Sequence, residues 1–204
     1  MIFESNHIYH IYNQGNNRQK VFFNRENYLF FLKKINEHIL PYADVLAWCL
    51  MPNHFHLMVA VRMQDQSDRV SFFKDNNSPG HYQKKLNNSI ATMLSSYTRA
   101  INIQQKGTGS LFREGTKAVE LGSIESEKLK YQKRNANAAG IAQNLDEEQL
   151  HTCFRYIHNN PVEAGLAKQI TDWDFSSAPD IVGIRKESFL NKKLIEELGL
   201  YLDK

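Results

Sequence analysis

Cysteines and long apolar runs are both scarce in this chain of 204 residues. Its two cysteines, Cys49 and Cys153, lie in apolar segments, which argues against a disulfide framework and predicts buried free thiols in a reducing cytoplasm. No apolar run approaches the ~18 residues of a membrane span. The N-terminal segment lacks a basic start followed by an apolar stretch, so we expect neither a signal peptide nor a membrane anchor.

The composition is that of a soluble globular protein, with 42% hydrophobic and 23% charged residues and no internal repeat. The net charge of +3 indicates an anionic partner only weakly. Basic residues cluster at Lys84 and Lys85, between Lys128 and Arg134, and at Arg185 and Lys186. This distribution is compatible with nucleic acid but does not require it.

Hydrophobic periodicity and breaker residues predict an alternation of strands and helices. In chain order we expect a strand over 7–14, a helix over 24–40 with Asn24 as N-cap, a hairpin of strands 44–51 and 54–61, a loop over 62–79, a helix over 80–104, a fourth strand or hairpin after residue 107, a helix over 146–160 stopped by Pro161, and a helix over 188–200. This order is that of an α+β, ferredoxin-like split βαβ sheet.

The chain divides into a domain over residues 1–183 and a helical tail over 184–204. Within the domain, residues 123–144 hold few large apolar side chains and many Lys, Gln, Asn and Ala. We interpret them as an insertion that is partly helical.

The stretch MPNHFHLMV places two histidines in one predicted strand. Alternate residues of a strand share a face, so His54 and His56 point to one side, while Phe55, Leu57 and Val59 form an apolar opposite face. Two ring nitrogens directed to one point suit a divalent cation or a phosphate oxygen. Surface histidines are the ordinary alternative, and two ligands alone do not make a site.

The helix predicted near residue 150 carries a second pair of polar groups. Tyr156 and Asn160 are four residues apart and therefore about 40° apart around the helix, whereas Leu150, Phe154 and Ile157 form a separate apolar stripe. One face thus presents a phenol and an amide oxygen. The alternative is a core tyrosine beside an asparagine that ends the helix.

Taken together, MPNHFH and YIHNNPVEAGL resemble the single-tyrosine HUH transposases, and most closely the REP-associated tyrosine transposases and their transposase-like relatives. The resemblance covers residues 6–183 and extends to YHIYNQGNNRQKVF, LAWCLMPNHFHLMV, GSLFREG and DWDFSSAPDIVG. It implies the ferredoxin-like sheet with helices on one face and the active site on the other, plus a catalytic helix and a C-terminal helix. The segment 123–144 departs from the family, whose link at this point is short.

The resemblance also implies an activity, a metal and a set of site residues. Tyr156 would cut single-stranded or hairpin DNA as the nucleophile, leaving a 5′-phosphotyrosine and a 3′-hydroxyl that can reverse the step. His54, His56 and Asn160 would bind Mg²⁺ or Mn²⁺, which would neutralise the phosphate charge. A bacterial cytoplasmic or nucleoid protein is implied, acting as a monomer or as a homodimer with swapped catalytic helices.

Further DNA contacts are predicted from polar and basic residues near these segments. They are Asn13, Arg18, Lys84, Lys85, Arg113 and Arg155. For the arginines, an exposed or structural role is at least as well supported. Tyr12, Phe22 and Phe23 could stack on unpaired bases, although core packing is the default for both phenylalanines. His10 has no assigned role, and His158 should point away from Tyr156.

The sequence leaves three functions open. The first is a metal-dependent DNA endonuclease and strand transferase of the transposase kind. The second is a catalytically silent DNA-binding protein derived from one, and the third is an unrelated metal hydrolase that uses His54, His56 and a water. Replacing Tyr156 by phenylalanine separates them, because only the first needs the phenolic oxygen.

Overall fold

The structure is a computed structural model that describes residues 2–62, 80–136 and 148–202. Its helices and strands, besides short 3₁₀ turns, are β1 (His7–Gln14), α1 (Arg25–His38), β2 (Ala43–Met51), β3 (His54–Val61), α2 (Gly80–Gln105), β4 (Lys117–Ser123), α3 (Ile124–Ala136), α4 (Glu148–Glu163), α5 (Ala178–Ile181) and α6 (Lys192–Glu197). The predicted loop over 62–79 lies outside the described residues except for Arg62, and so does the segment 137–147.

The four strands form one antiparallel sheet in the order β2-β3-β1-β4. β2 and β3 are a hairpin in which Met51 pairs with His54 across the turn at Pro52 and Asn53. The two central strands are therefore β3 and β1, which are far apart in sequence. This order confirms the predicted split βαβ, ferredoxin-like α+β fold.

Helices α1 and α2 cover one face of the sheet. Asn24 caps α1 by accepting a hydrogen bond from the backbone N–H of Asn27, whose side chain accepts from the Asn24 N–H in return. Between the helices and the sheet, the ring of Phe31 lies 4.9 Å from that of Tyr97 and 5.1 Å from that of Phe55, measured between centroids. Fully burying such a ring stabilises a fold by about 1.5–3 kcal/mol, so this aromatic cluster anchors the helix layer.

Helix α4 lies across the other face of the sheet. Its stripe of Leu150, Phe154 and Ile157 is buried, as the periodicity predicts. The prediction that Pro161 stops this helix at residue 160 is wrong, since α4 continues to Glu163 with Pro161 inside it. A proline so near the C-terminus removes only one backbone donor, and the Ala164 N–H still bonds to the carbonyl of Asn160. The predicted start at residue 146 lies outside the described residues.

The C-terminal segment covers the outer edge of β2. Backbone bonds join Leu50 to Phe175 and Trp48 to Ser177, and Asn191 donates its N–H to the carbonyl of Val45. The predicted helix over 188–200 is wrong in extent, because only Lys192–Glu197 is helical. Residues before it are extended along β2, and Gly199 has a φ of +65°, which ends the helix.

Helix α3 follows β4 directly and occupies the first part of the predicted insertion. Cys49 and Cys153 are both free thiols, the first buried and the second half-buried. No helix of the described chain is both long and apolar enough to cross a membrane.

Candidate active site

Four side chains predicted from the sequence meet between the sheet and α4. The alternation of β3 turns His54 and His56 toward α4, and that helix presents Tyr156 and Asn160 to them. The Nε2 atom of His54 lies 3.4 Å from Oδ1 of Asn160, and the rings of His56 and Tyr156 are 5.3 Å apart in an edge-to-face arrangement. Residues about one hundred positions apart in sequence thus share one site, and all four belong to one chain.

Hydrogen bonds determine which atom His54 offers to this site. Its Nδ1 lies 2.6 Å from Oδ1 of Asn53, and the Asn53 amide nitrogen donates to the carbonyl of Arg18. An amide oxygen only accepts, so Nδ1 of His54 carries the proton. Nε2 therefore has a free lone pair, and this lone pair faces Asn160.

The amide of Asn160 is oriented in the same manner. Its nitrogen donates to the backbone carbonyl of Tyr156 at 2.8 Å, which turns Oδ1 toward His54. Two acceptor atoms then face one another at 3.4 Å. A positive charge between them, either a proton or a metal ion, would stabilise such a pair.

His56 is buried and leaves one nitrogen without a partner. Its Nδ1 is 2.9 Å from Nε2 of His10, whereas its own Nε2 is shielded from solvent and has no hydrogen-bond partner among the described residues. An unpartnered buried nitrogen costs about 1–3 kcal/mol. The lone pair of such a nitrogen is chemically suited to bind a metal ion.

His10 and Lys117 are site residues that the sequence prediction missed. His10 lies on β1, where His10 and Tyr12 alternate toward the same face as the β3 histidines, and Tyr12 pairs directly with His56. The ring of His10 stacks on that of His56 at a centroid distance of 5.0 Å. The alternation was visible in the sequence, but the pairing of β1 with β3 was needed to place His10.

The three imidazoles are neutral at pH 7. Burial lowers the pKa of His10 to about 4 and lowers that of His56 well below its usual value, with repulsion from the two neighbouring histidines adding to the effect. Burial also lowers the pKa of His54, partly offset by its contact with Asn160. Neutral imidazoles are the form that binds metal ions.

A cavity of about 450 Å³ opens beside these groups. It is lined by His54, His56, Tyr156 and Asn160 and by residues of β1 and the 113–117 segment, including the exposed Arg113 and Lys117. The side chain of Tyr156 is 43% exposed. A ligand that enters the cavity therefore meets the phenol beside two basic side chains, Arg113 and Lys117, and one acidic side chain, Glu114.

The predicted DNA contacts do not all lie at this cavity. Asn13 and Arg113 line it, but the Asn13 amide donates to the carbonyl of Arg113 and the hydroxyl of Thr116, which holds that segment against β1. The others do not line it: Arg18 and Arg155 are exposed elsewhere and Lys85 is half-buried on α2. The side chain of Lys84 lies outside the described residues.

The remaining aromatic and histidine predictions are also placed. Phe22 is buried in the core, as predicted. The prediction of core packing is wrong for Phe23, which is 43% exposed. Tyr12 lines the cavity. His158 points away from Tyr156, as expected from its position on the helix. It lies in the core and contacts the carbonyl of Phe154 and the hydroxyl of Ser177.

Histidine and acidic side chains alone do not form a metal centre here. Within residues 2–62, 80–136 and 148–202, no three His, Cys, Asp or Glu side chains cluster so that they could hold a metal ion. A metal ion at the cavity would therefore require the amide oxygen of Asn160 beside Nε2 of His54 and His56. The facing acceptors and the unpartnered nitrogen fit such a set.

Comparison with known proteins supports the fold. No family model matches the sequence, and no curated protein matches it. A solved structure described as a REP-associated tyrosine transposase bound to a REP hairpin is similar over 93% of this chain and 86% of that chain, with a TM-score of 0.51 and 16% sequence identity. At this identity the likeness shows a shared fold and nothing finer.

Proposed function

We propose that this protein cleaves and rejoins single-stranded or hairpin DNA, with Tyr156 as the nucleophile and a divalent metal ion as cofactor. The observation that carries the proposal is the meeting of an exposed phenol with two imidazole nitrogens and an amide oxygen in one cavity. The fold shared with a hairpin-bound transposase supports the choice of DNA as the substrate.

Nε2 of His54, Nε2 of His56 and Oδ1 of Asn160 would hold Mg²⁺ or Mn²⁺. When bound, the ion would neutralise the phosphate charge and polarise its oxygens. A set rich in imidazole tolerates Mn²⁺ well. The phosphate oxygens supply the negative charge that these neutral ligands lack.

His10 acts as a positioning residue for this set. When Nδ1 of His56 donates its proton to Nε2 of His10, Nε2 of His56 keeps a free lone pair. The opposite direction would place a proton on Nε2, where no acceptor exists among the described residues. The hydrogen bond between the two rings therefore selects the tautomer that can bind a metal ion.

Cleavage would proceed by direct displacement at phosphorus. The phenolic oxygen of Tyr156 attacks, a new P–O bond forms, and the bond to the 3′-oxygen breaks, leaving a 5′-phosphotyrosine. The phenol proton passes to solvent, which reaches the exposed ring, and the departing 3′-oxygen takes a proton from water. Arg113 and Lys117 face the added phosphate charge. Rejoining is the reverse, since the 3′-hydroxyl attacks the phosphotyrosine and phenolate leaves.

The test is a search for a covalent protein–DNA adduct. Hairpin oligonucleotides from the flanks of the gene, labelled at the 3′ end, are incubated with the protein and Mn²⁺ and run on a denaturing gel. We expect the wild-type chain to retain the label and Tyr156→Phe to lose it while still binding the oligonucleotide. Tyr201→Phe, at another exposed tyrosine, is the matched control and should behave as wild type.

Other outcomes would change the assignment. An adduct with Tyr156→Phe would show that another residue is the nucleophile. Binding by the wild-type chain without any adduct would favour a silent DNA-binding protein. Cleavage that survives Tyr156→Phe without an adduct would favour the metal hydrolase.

A further inference from the structure

A second concavity continues from the candidate active site along α2. It has a volume of about 930 Å³ and lies between the second half of α2 and the segment 107–116. Asn13 and Arg113 line both this groove and the active-site cavity. The two cavities therefore adjoin at these two residues.

The groove carries basic side chains that no carboxylate of the described residues neutralises. Arg99, Lys106 and Arg113 line it and are exposed, and no acidic side chain is among its lining residues. The described residues contain no ion pair that involves any of these three cations. Cations around a concave surface without local carboxylates favour an anionic ligand.

Two lysines elsewhere on the surface lie beside carboxylates. Lys128 lies 2.6 Å from a carboxylate oxygen of Glu197, and Lys130 lies 2.8 Å from one of Glu127. The cavity that Lys128 lines also contains Glu197 and Asp44. The α2 groove differs from that cavity because no acidic side chain is among its lining residues.

The other lining residues can contact both the phosphates and the bases of a nucleic-acid strand. Hydroxyl groups of Ser95, Thr98 and Thr108 can donate to phosphate oxygens. Ile103, whose side chain is 73% exposed, offers an apolar contact for a base. Asn102 donates to the carbonyl of Gly109 and so fixes the segment that forms the opposite wall.

We infer that this groove binds the single-stranded DNA that continues from the phosphate held at Tyr156, through backbone contacts that tolerate different sequences. This inference rests on the proposed function, since it names the path of the same substrate. It assigns Arg99 and Lys106 as phosphate-binding residues outside the catalytic cavity. Single strands are commonly bound in such basic grooves with exposed side chains for the bases.

The experiment measures DNA affinity in the Tyr156→Phe background, so that no cleavage occurs. The double variant Arg99→Ala, Lys106→Ala is compared with Lys33→Ala, Lys193→Ala, which removes the same charge from exposed lysines that lie near carboxylates. Each protein is titrated with a hairpin that carries single-stranded extensions on both sides, and with versions trimmed on the 5′ or the 3′ side.

We expect the groove variant to bind the full strand about tenfold more weakly and to show a shallower salt dependence, by about 0.7 per lost phosphate contact. Trimming one of the two extensions should abolish this difference. The control variant should lose much less affinity for every strand.

Equal affinity of the groove and control variants for the full strand would overturn the inference. So would a loss that is the same for full and trimmed strands. The proposed function fails separately, because it depends on the adduct of the otherwise wild-type chain. If the adduct forms but the groove variant loses no affinity, only the inference is overturned. If the groove variant loses affinity but no adduct forms, only the catalytic proposal is overturned.

Discussion

The two faces of the central sheet carry opposite kinds of side chain, although the same strands build both. On the face covered by α1 and α2, Phe55 packs among rings such as Phe31 and Phe112, and its burial is complete. On the face covered by α4, His54 and His56 alternate with Phe55 along β3. Nε2 of His56 has no hydrogen-bond partner among the described residues. The first face is thus wholly apolar at this position, whereas the second holds a buried polar atom whose hydrogen bonding is incomplete among the described residues.

The difference follows from the period of two in a strand. A shift of one residue in the register of β3 would exchange the aromatic and the histidine faces. The apolar face strongly disfavours such a shift, because it would place imidazoles in the aromatic cluster and Phe55 under α4. The stability of one face thus maintains the geometry of the other.

Phe55→Ala should give the largest effect on stability. The removed ring leaves a cavity in the cluster around Phe31, so we expect a loss of about 3–5 kcal/mol in the free energy of unfolding. Denaturant unfolding followed by circular dichroism measures it. A loss below about 1 kcal/mol would show that the cluster does not anchor the sheet.

His54→Ala, one position away, should have the opposite profile. We expect adduct formation to fall by at least about 100-fold, more than the 10–100-fold typical of losing a residue that only supports a metal ligand. The unfolding free energy should change far less than in Phe55→Ala. EDTA should reproduce the loss in the wild-type chain. If neither His54→Ala nor EDTA reduced adduct formation, the proposed role of the metal ion would be wrong.

Substitutions of His10 separate the residue that positions His56 from the residues proposed to bind the metal ion. His10→Leu should weaken Mn²⁺ binding by about 10–100-fold, as measured by calorimetry, because His56 loses the acceptor that selects its tautomer. His10→Gln, which keeps an acceptor, should retain more affinity than the leucine variant.

Nitrogen-detected NMR of the metal-free wild type provides a direct reading of this role. It should show the proton of His56 on Nδ1. Finding it on Nε2 would contradict the positioning role even if Tyr156 forms an adduct.

The smallest effect concerns pH. Burial lowers the pKa of both His10 and His158 to about 4 in the folded chain, whereas an unfolded histidine titrates near its usual pKa of about 6.5. Between these values the unfolded state binds more protons, so stability is complete above about pH 6.5 and falls as the pH drops toward 4.

Each such histidine adds at most about 1.4 kcal/mol per pH unit to this slope. Urea titrations at pH 7 and pH 5 should show a smaller difference for His158→Gln than for the wild-type chain. An unchanged difference would mean that His158 is not the buried neutral group described above.

Much of the candidate site could be predicted from local sequence pattern. The alternation of β3 predicted the shared face of His54 and His56, and helical spacing predicted that of Tyr156 and Asn160. Both are short-range rules of backbone geometry. The end of α4 and the extent of α6 were predicted wrongly, because Pro161 near a helix end costs little and because residues before α6 bond to the edge of β2 instead of forming a helix.

The sequence by itself determined the period of each element and therefore which side chains share a face. Only the tertiary structure decided what those faces meet: His10 against His56, Nε2 of His54 against Asn160, and the α2 groove against the active-site cavity. These contacts join residues 46, 106 and about 100 positions apart. They depend on strand register and on helix packing over the whole core, which no local pattern encodes.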